Sequence, residues 1–162
     1  MTARGDDSGR WLAEAIATHD LERLKPSMSA GAERVNTARR HVRSARALAD
    51  DDPTLALAAC HDAVRKAITG HMRAAGYRPR SGEGAHRIVL DYARHQLAEV
   101  IEADDLQDAD AIRKDRGLAE YGEFASTRID ADHVRWAADL AERIVNAIAA
   151  ELAAQAKRSP RR

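Results

Sequence analysis

The stretch ADHVRWAADLAERIVNAIAAEL, Ala131–Leu152, sets Val134, Ala137, Ala141, Ile144, Ile148 and Leu152 three or four residues apart, with charged residues between them. That is the period of a helix with one buried stripe; a half-buried strand would alternate at every second residue. The same period recurs upstream. Ser29–Ala49 carries Ala32, Val35, Ala38, Val42, Ala45 and Leu48 at near-heptad spacing, and Thr54–Ala75 carries Leu57, Cys60, Val64, Ile68 and Met72. Ala85–Ile101 is amphipathic through Ile88, Val89, Tyr92, Leu97, Val100 and Ile101. A first segment, Arg10–Leu24, holds Trp11, Leu12, Ala15 and Ile16 and stops before Pro26, and a short helix is expected over Leu106–Glu120. Asp52 is placed to cap a helix that starts at Pro53, and Gly76 to close it. No strand pattern of comparable length and no internal repeat is present. The expectation is an all-α antiparallel bundle.

Bulk properties narrow the function. The 162 residues suit one domain with a real core. Charged residues make up 32% but sum to a formal net charge of zero, so no global field draws the chain to nucleic acid or membrane. Anion binding must therefore come from local clusters. With 4% aromatic residues and abundant alanine, the helices should pack closely, each burying modest area at about 25 cal/mol per Å². A dimer interface would add to that. The single cysteine, Cys60, excludes an internal disulfide, suits a reducing cytoplasm and reads as core filler rather than nucleophile. No apolar run approaches the roughly 18 residues of a membrane span, and no signal-peptide core is seen. Met1–Gly9 reads as a frayed end, and Lys157–Arg162 as a basic tail that is either solvated or steers RNA or a partner.

Metal and phosphate-loop chemistry lack their signatures. The seven histidines are scattered, no His-Glu-x-x-His occurs, and there is no Gly-Lys-Ser/Thr loop or Gly-x-Ser-x-Gly elbow. No cofactor and no metal is expected. Three local features carry chemistry instead. In Arg113–Gly122, Leu106, Ala109, Ile112 and Ala119 share a helical face, and Arg116 points with them. A guanidinium on an inward stripe needs a carboxylate, a wet cleft or an anionic ligand, because it stays charged at any accessible pH. Arg113 is its neighbour, Glu120 lies four residues on, and Tyr121 follows. The group is either an anion site or an Arg116–Glu120 pair that closes a helix end. The second feature is Arg78–Arg87, where Arg80, His86 and Arg87 flank a glycine-containing loop that opens a helix. It is either an anion site or an ordinary capped start. The third is the basic face Arg39, Arg40, Arg43 and Arg46, either a phosphate track or a solvated surface.

Leu55–Ile68 (LALAACHDAVRKAI), Gly76–Leu90 (GYRPRSGEGAHRIVL) and Arg113–Gly122 (RKDRGLAEYG) together resemble the HEPN family, and most closely its actinobacterial branch with Arg-x-x-Ala-Glu-Tyr-Gly. The resemblance covers about Thr54–Leu152 and implies a HEPN-like domain over 54–156. That domain is a bundle of about four core helices, with residues 1–53 as an N-terminal helical extension packed on it and 157–162 as tail. It also implies a homodimer and, in many members, a metal-independent endoribonuclease. Such members act as toxins paired with a nucleotidyltransferase-type antitoxin, or in phage defence, with RNA or a nucleotide as ligand. Carried over, Arg116 matches the motif arginine, Gly117 stands where asparagine is common, and Tyr121 stands where the histidine belongs. Arg116, Tyr121 and Glu120 would be catalytic, while Arg113, His86, Arg87 and Arg80 would hold the substrate. A phenol titrating near pH ~10 is a poor base at neutrality, and its use in place of imidazole weakens acid–base help by about 10²–10⁴. The alternative is a non-catalytic HEPN module that binds nucleotide, RNA or protein.

Overall fold

Asp52 accepts a hydrogen bond from the Leu55 amide at 3.0 Å, and Pro53 occupies the first helical position behind it. From this cap runs the central helix of the computed structural model. The structure describes residues 3–80, 85–121 and 129–158, with side chains described except at 3–6, 85–86 and 118–121. The elements are α1 (Ala3–Ala17), β1 (Leu21–Arg23), α2 (Met28–Leu48), α3 (Pro53–Ala75), β2 (Tyr77–Pro79), α4 (Ala85–Gln96), α5 (Ala103–Tyr121) and α6 (Ala131–Arg158). The described chain is thus mostly helical, and none of its helices is long and apolar enough to cross a membrane.

Three long helices form the centre. A short turn folds α2 back along α3, where His41 meets Asp62 at 2.8 Å. Along the other flank of α2, Arg46 reaches Asp139 and Glu142 of α6 at 2.8 Å, and Asp50 receives Arg135 at 2.6 Å. These pairings make α6 antiparallel to α2. The core is one cluster to which all six described helices contribute, so α2 lines the same interior as α3 and α6. Small residues permit the approach. A Cβ built on Gly31 would stand 2.6 Å from the Gly70 carbonyl oxygen and 2.8 Å from Ala74 Cβ, so α2 and α3 touch backbone to backbone. Cys60 is fully buried there, and burial pushes its thiol up to about 12 despite the nearby Arg46 charge, which fits core filler.

Several sequence expectations shift. The first helix ends at Ala17 instead of reaching Leu24, and Leu21–Arg23 pairs with Tyr77–Pro79 as a two-stranded antiparallel ladder. The chain turns at His19, whose φ is +63°, and Pro26 already disfavours helix just upstream of itself. Glu22 then meets Arg78 at 2.7 Å, and the Leu24 amide bonds the Gly76 carbonyl at 2.8 Å. At the other end, residues 3–9 are helical rather than frayed. Ser8 donates to the His95 carbonyl at 2.6 Å, and Trp11 stacks on His95 with centroids 4.9 Å apart. The fourth helix stops at Gln96, short of Ile101, and the fifth starts at Ala103, where Asp104 and Asp105 suit its positive end. The last helix extends through Lys157 and Arg158 of the expected tail.

Gly76 closes α3 at φ +89°, donating its amide to Arg73 and Met72 carbonyls. A Cβ there would also lie 2.8 Å from the Leu24 carbonyl. Gly76→Ala should therefore cost about 1–2 kcal/mol, read as a lower urea midpoint at unchanged slope. An unchanged midpoint would show that the ladder does not depend on this cap.

A partly buried polar relay joins α4, α3 and α6. Gln155 Nε2 lies 2.8 Å from Glu151 Oε1 and 3.2 Å from His71 Nε2. The amide nitrogen must donate to both, which makes His71 Nε2 an acceptor and leaves Nδ1–H for the Tyr92 hydroxyl at 3.0 Å. Burial lowers the His71 pKa below its ordinary value, and the Glu151 charge offsets this only in part. The unfolded chain then binds the proton more readily, so this residue subtracts stability as pH falls below about 6.5. Urea unfolding at pH 7, 6 and 5 should show that loss, and His71→Gln should flatten it; equal slopes in both proteins would remove His71 as the cause.

Candidate functional site

Leu106, Ala109 and Ile112 on α5 are each 3% exposed or less, and Arg116 continues their line as the first half-buried polar side chain. Its guanidinium Nη1 lies 3.4 Å from Nδ1 of His61 on α3. A guanidinium can only donate, so His61 Nδ1 must carry the lone pair and its proton must sit on Nε2. The imidazole in this contact is therefore neutral. His61 is 7% exposed and occupies an apolar stripe, four residues after Leu57 and three before Val64.

The next residue back faces the other way. Asp115 Oδ2 stands 3.3 Å from Nε2 of His133 on α6, whose ring lies against Trp136 with centroids 5.3 Å apart. That distance is an ion-pair distance, but the alignment does not make a hydrogen bond, and among the described residues His133 Nε2 is a buried nitrogen lacking one. Asp130 holds the His133 amide at 2.8 Å. The last part of α5 is thus held on two sides by histidines, one from α3 and one from α6.

Beside His61, Asp62 gathers His41 at 2.8 Å, Arg65 at 2.6 Å and Lys66 at 3.1 Å. Burial pushes the Asp62 carboxyl up, but Arg65 and Lys66 outweigh it and hold the group below its ordinary value. A space beside His61, lined also by Arg65, Ile68, Val89 and Ala109, has a volume of about 10 Å³. That admits barely a water, so this side of His61 has no room for a ligand.

Sequence-designated residues are only partly brought together. Arg113 gives Nε to Asp110 at 2.8 Å and is tied on α5. Arg87 is 81% exposed and 4.0 Å from Asp91, on the same turn of α4 as Val89 beside the His61 cavity. Arg80 is exposed at the end of β2, where its amide bonds the Asp20 carbonyl at 3.0 Å beside β1. The structure does not bring Arg80 to Arg116. The side chains of Glu120, Tyr121 and His86, and residues 81–84 and 122–128, lie outside the described residues. On α2, Arg46 is committed to α6, while Arg39 and Arg40 contact Asn36 and Thr37. His61 is the residue that sequence reasoning did not single out. Its signal was a histidine on an apolar stripe, but its partner stands 55 positions away. Among the described residues, no group of three or more His, Cys, Asp or Glu side chains could hold a metal ion.

Comparison with protein-family models finds none that matches, and comparison with curated proteins and with solved structures finds no significant match.

Proposed function

We propose that this chain binds RNA and cleaves it as HEPN ribonucleases do, without a metal, using Arg116 and His61 as the reacting pair. The observation that supports this reading is the 3.4 Å contact between a half-buried guanidinium and a neutral imidazole. Arg116 provides donors for the non-bridging oxygens of a phosphodiester, where charge builds up in the transition state. When Arg116 turns to that phosphate, the Nδ1 lone pair of His61 is released to take the proton of the adjacent 2′-hydroxyl. The 2′-oxygen forms a bond to phosphorus, the bond to the 5′-oxygen breaks, and Tyr121, with Glu120, is assigned the proton for the departing oxygen. Products are a 2′,3′-cyclic phosphate and a 5′-hydroxyl. The family resemblance carries two extensions: a homodimer presenting two Arg116 side chains to one groove, and a toxin's place beside a nucleotidyltransferase antitoxin or in phage defence.

The test is end-labelled single-stranded RNA incubated with the chain in excess chelator. Cleavage with cyclic-phosphate ends, abolished where the 2′-hydroxyl is replaced by hydrogen, is the expected result. The 7% exposure of His61 favours a second reading, in which the site holds RNA or a nucleotide without cutting. Retention of intact RNA, lost on replacing Arg116, would select it; neither binding nor cleavage would end both.

A further inference from the structure

A separate cleft of about 610 Å³ opens between the end of α4 and the outer side of α5. Small-molecule sites commonly fall between about 300 and 1,000 Å³ and combine an apolar floor with a few placed polar groups. Here Ile101 and Leu106, 4% and 3% exposed, close the base, and the exposed Ala98 and Ala111 offer the apolar surface. All four are aliphatic. The rim is charged. Arg94 on α4 gives Nη1 to Asp91 at 2.8 Å, and Lys114 on α5 lies 2.9 Å from Asp110. Asp110 also receives Arg113 at 2.8 Å. Burial pushes the Asp110 carboxyl up, but Lys114 and Arg113 outweigh that and keep it below its ordinary value, hence ionised at neutral pH. The lining then carries two cations against one carboxylate.

That balance selects the ligand. An arginine has five N–H donors and a lysine three, so each cation keeps donors beyond its aspartate contact. One further negative charge would neutralise the lining, whereas a dianion would meet the Asp110 carboxylate at the same rim. The aliphatic surface calls for a hydrocarbon body. We propose that this cleft binds a free monocarboxylate with an aliphatic chain, its head held by Arg94 and Lys114 and its chain laid between Ala98 and Ala111. The site stands apart from Arg116. Ala111 and Lys114 occupy the exposed side of α5, whereas Ala109 and Ile112 lie on the buried side that Arg116 continues, and Leu106 sits at the edge between the two.

Titration of the full chain with decanoate below its micelle concentration, followed by calorimetry, tests this. One saturable site is expected, with decanol at least about tenfold weaker, because a hydrogen bond to a charged group contributes on that scale. Arg94→Ala with Lys114→Ala should bring decanoate down to the decanol level. Ala111→Trp, at an exposed position, should fill the cleft and remove binding of both. A thermal melt of each variant confirms that it is folded. The proposal is overturned if decanoate shows no saturable binding, if decanol binds as well, or if folded Ala111→Trp binds like the parent chain. RNA cleavage does not enter any of these readouts.

Discussion

Arg116→Ala is expected to slow the proposed RNA cleavage by about 10²–10³-fold, the usual cost of removing one donor aimed at developing oxyanion charge. The guanidinium lies against His61 at 3.4 Å, half-buried, so the variant removes both the proposed phosphate clamp and the donor that faces the imidazole. His61→Ala should cost about 10²–10⁴-fold through loss of the base. Because the two act as a unit, the double variant should be little worse than the poorer single one. Arg116→Lys should rescue poorly, since an ammonium lacks the planar fork that matches a phosphate. The rates need a folding control, because a half-buried pair also contributes to packing. Far-UV circular dichroism and the melting midpoint supply it. If folded Arg116→Ala cuts as fast as the parent chain, the arginine has no part in the chemistry.

Gly31→Ala is expected to lower stability by a net of about 1–2 kcal/mol, which for a chain of this length moves the melting midpoint down by roughly 2–8 °C. Ordinarily such a change in a helix is worth up to about 1 kcal/mol in the other direction, because alanine loses less backbone freedom. Here the new methyl would stand 2.6 Å from the Gly70 carbonyl and 2.8 Å from Ala74 Cβ, neither of them the end of a flexible side chain. The helices must part, and every contact along the seam loosens with them. Gly9→Ala provides the opposite case on α1: its Cβ meets nothing within 4 Å, so the propensity gain should appear unopposed. Equal shifts in the two variants would mean that the close crossing does not limit packing.

What could be read from the sequence was local. Asp52-Pro53 and Gly76 mark the ends of α3 because caps act through neighbouring residues, and the stripes of α2 and α6 follow from period alone. The first helix misled for a complementary reason. Leu21 is 2% exposed, so its apolar character was a true sign of burial, but burial on a ladder with Pro79 instead of on a helix. A three-residue strand is too short to declare a period. Residues 3–9 looked like a loose end because the contacts of Ser8 with His95 and Gln96 depend on chain some 87 positions away. The candidate site divides along the same line. Arg116 was conspicuous because charge stood where its own helix wanted oil, while His61 was hidden because a lone histidine among aliphatics is unremarkable until α5 is laid across α3.

The central helix has neighbours in α2, α4, α5, α6 and β2. A residue on such an axle has almost no latitude: His61 is fixed by the whole molecule's architecture rather than by a loop of its own. In the proposed reaction the movement would then fall to Arg116, on the more peripheral rod, swinging away from a stationary anvil.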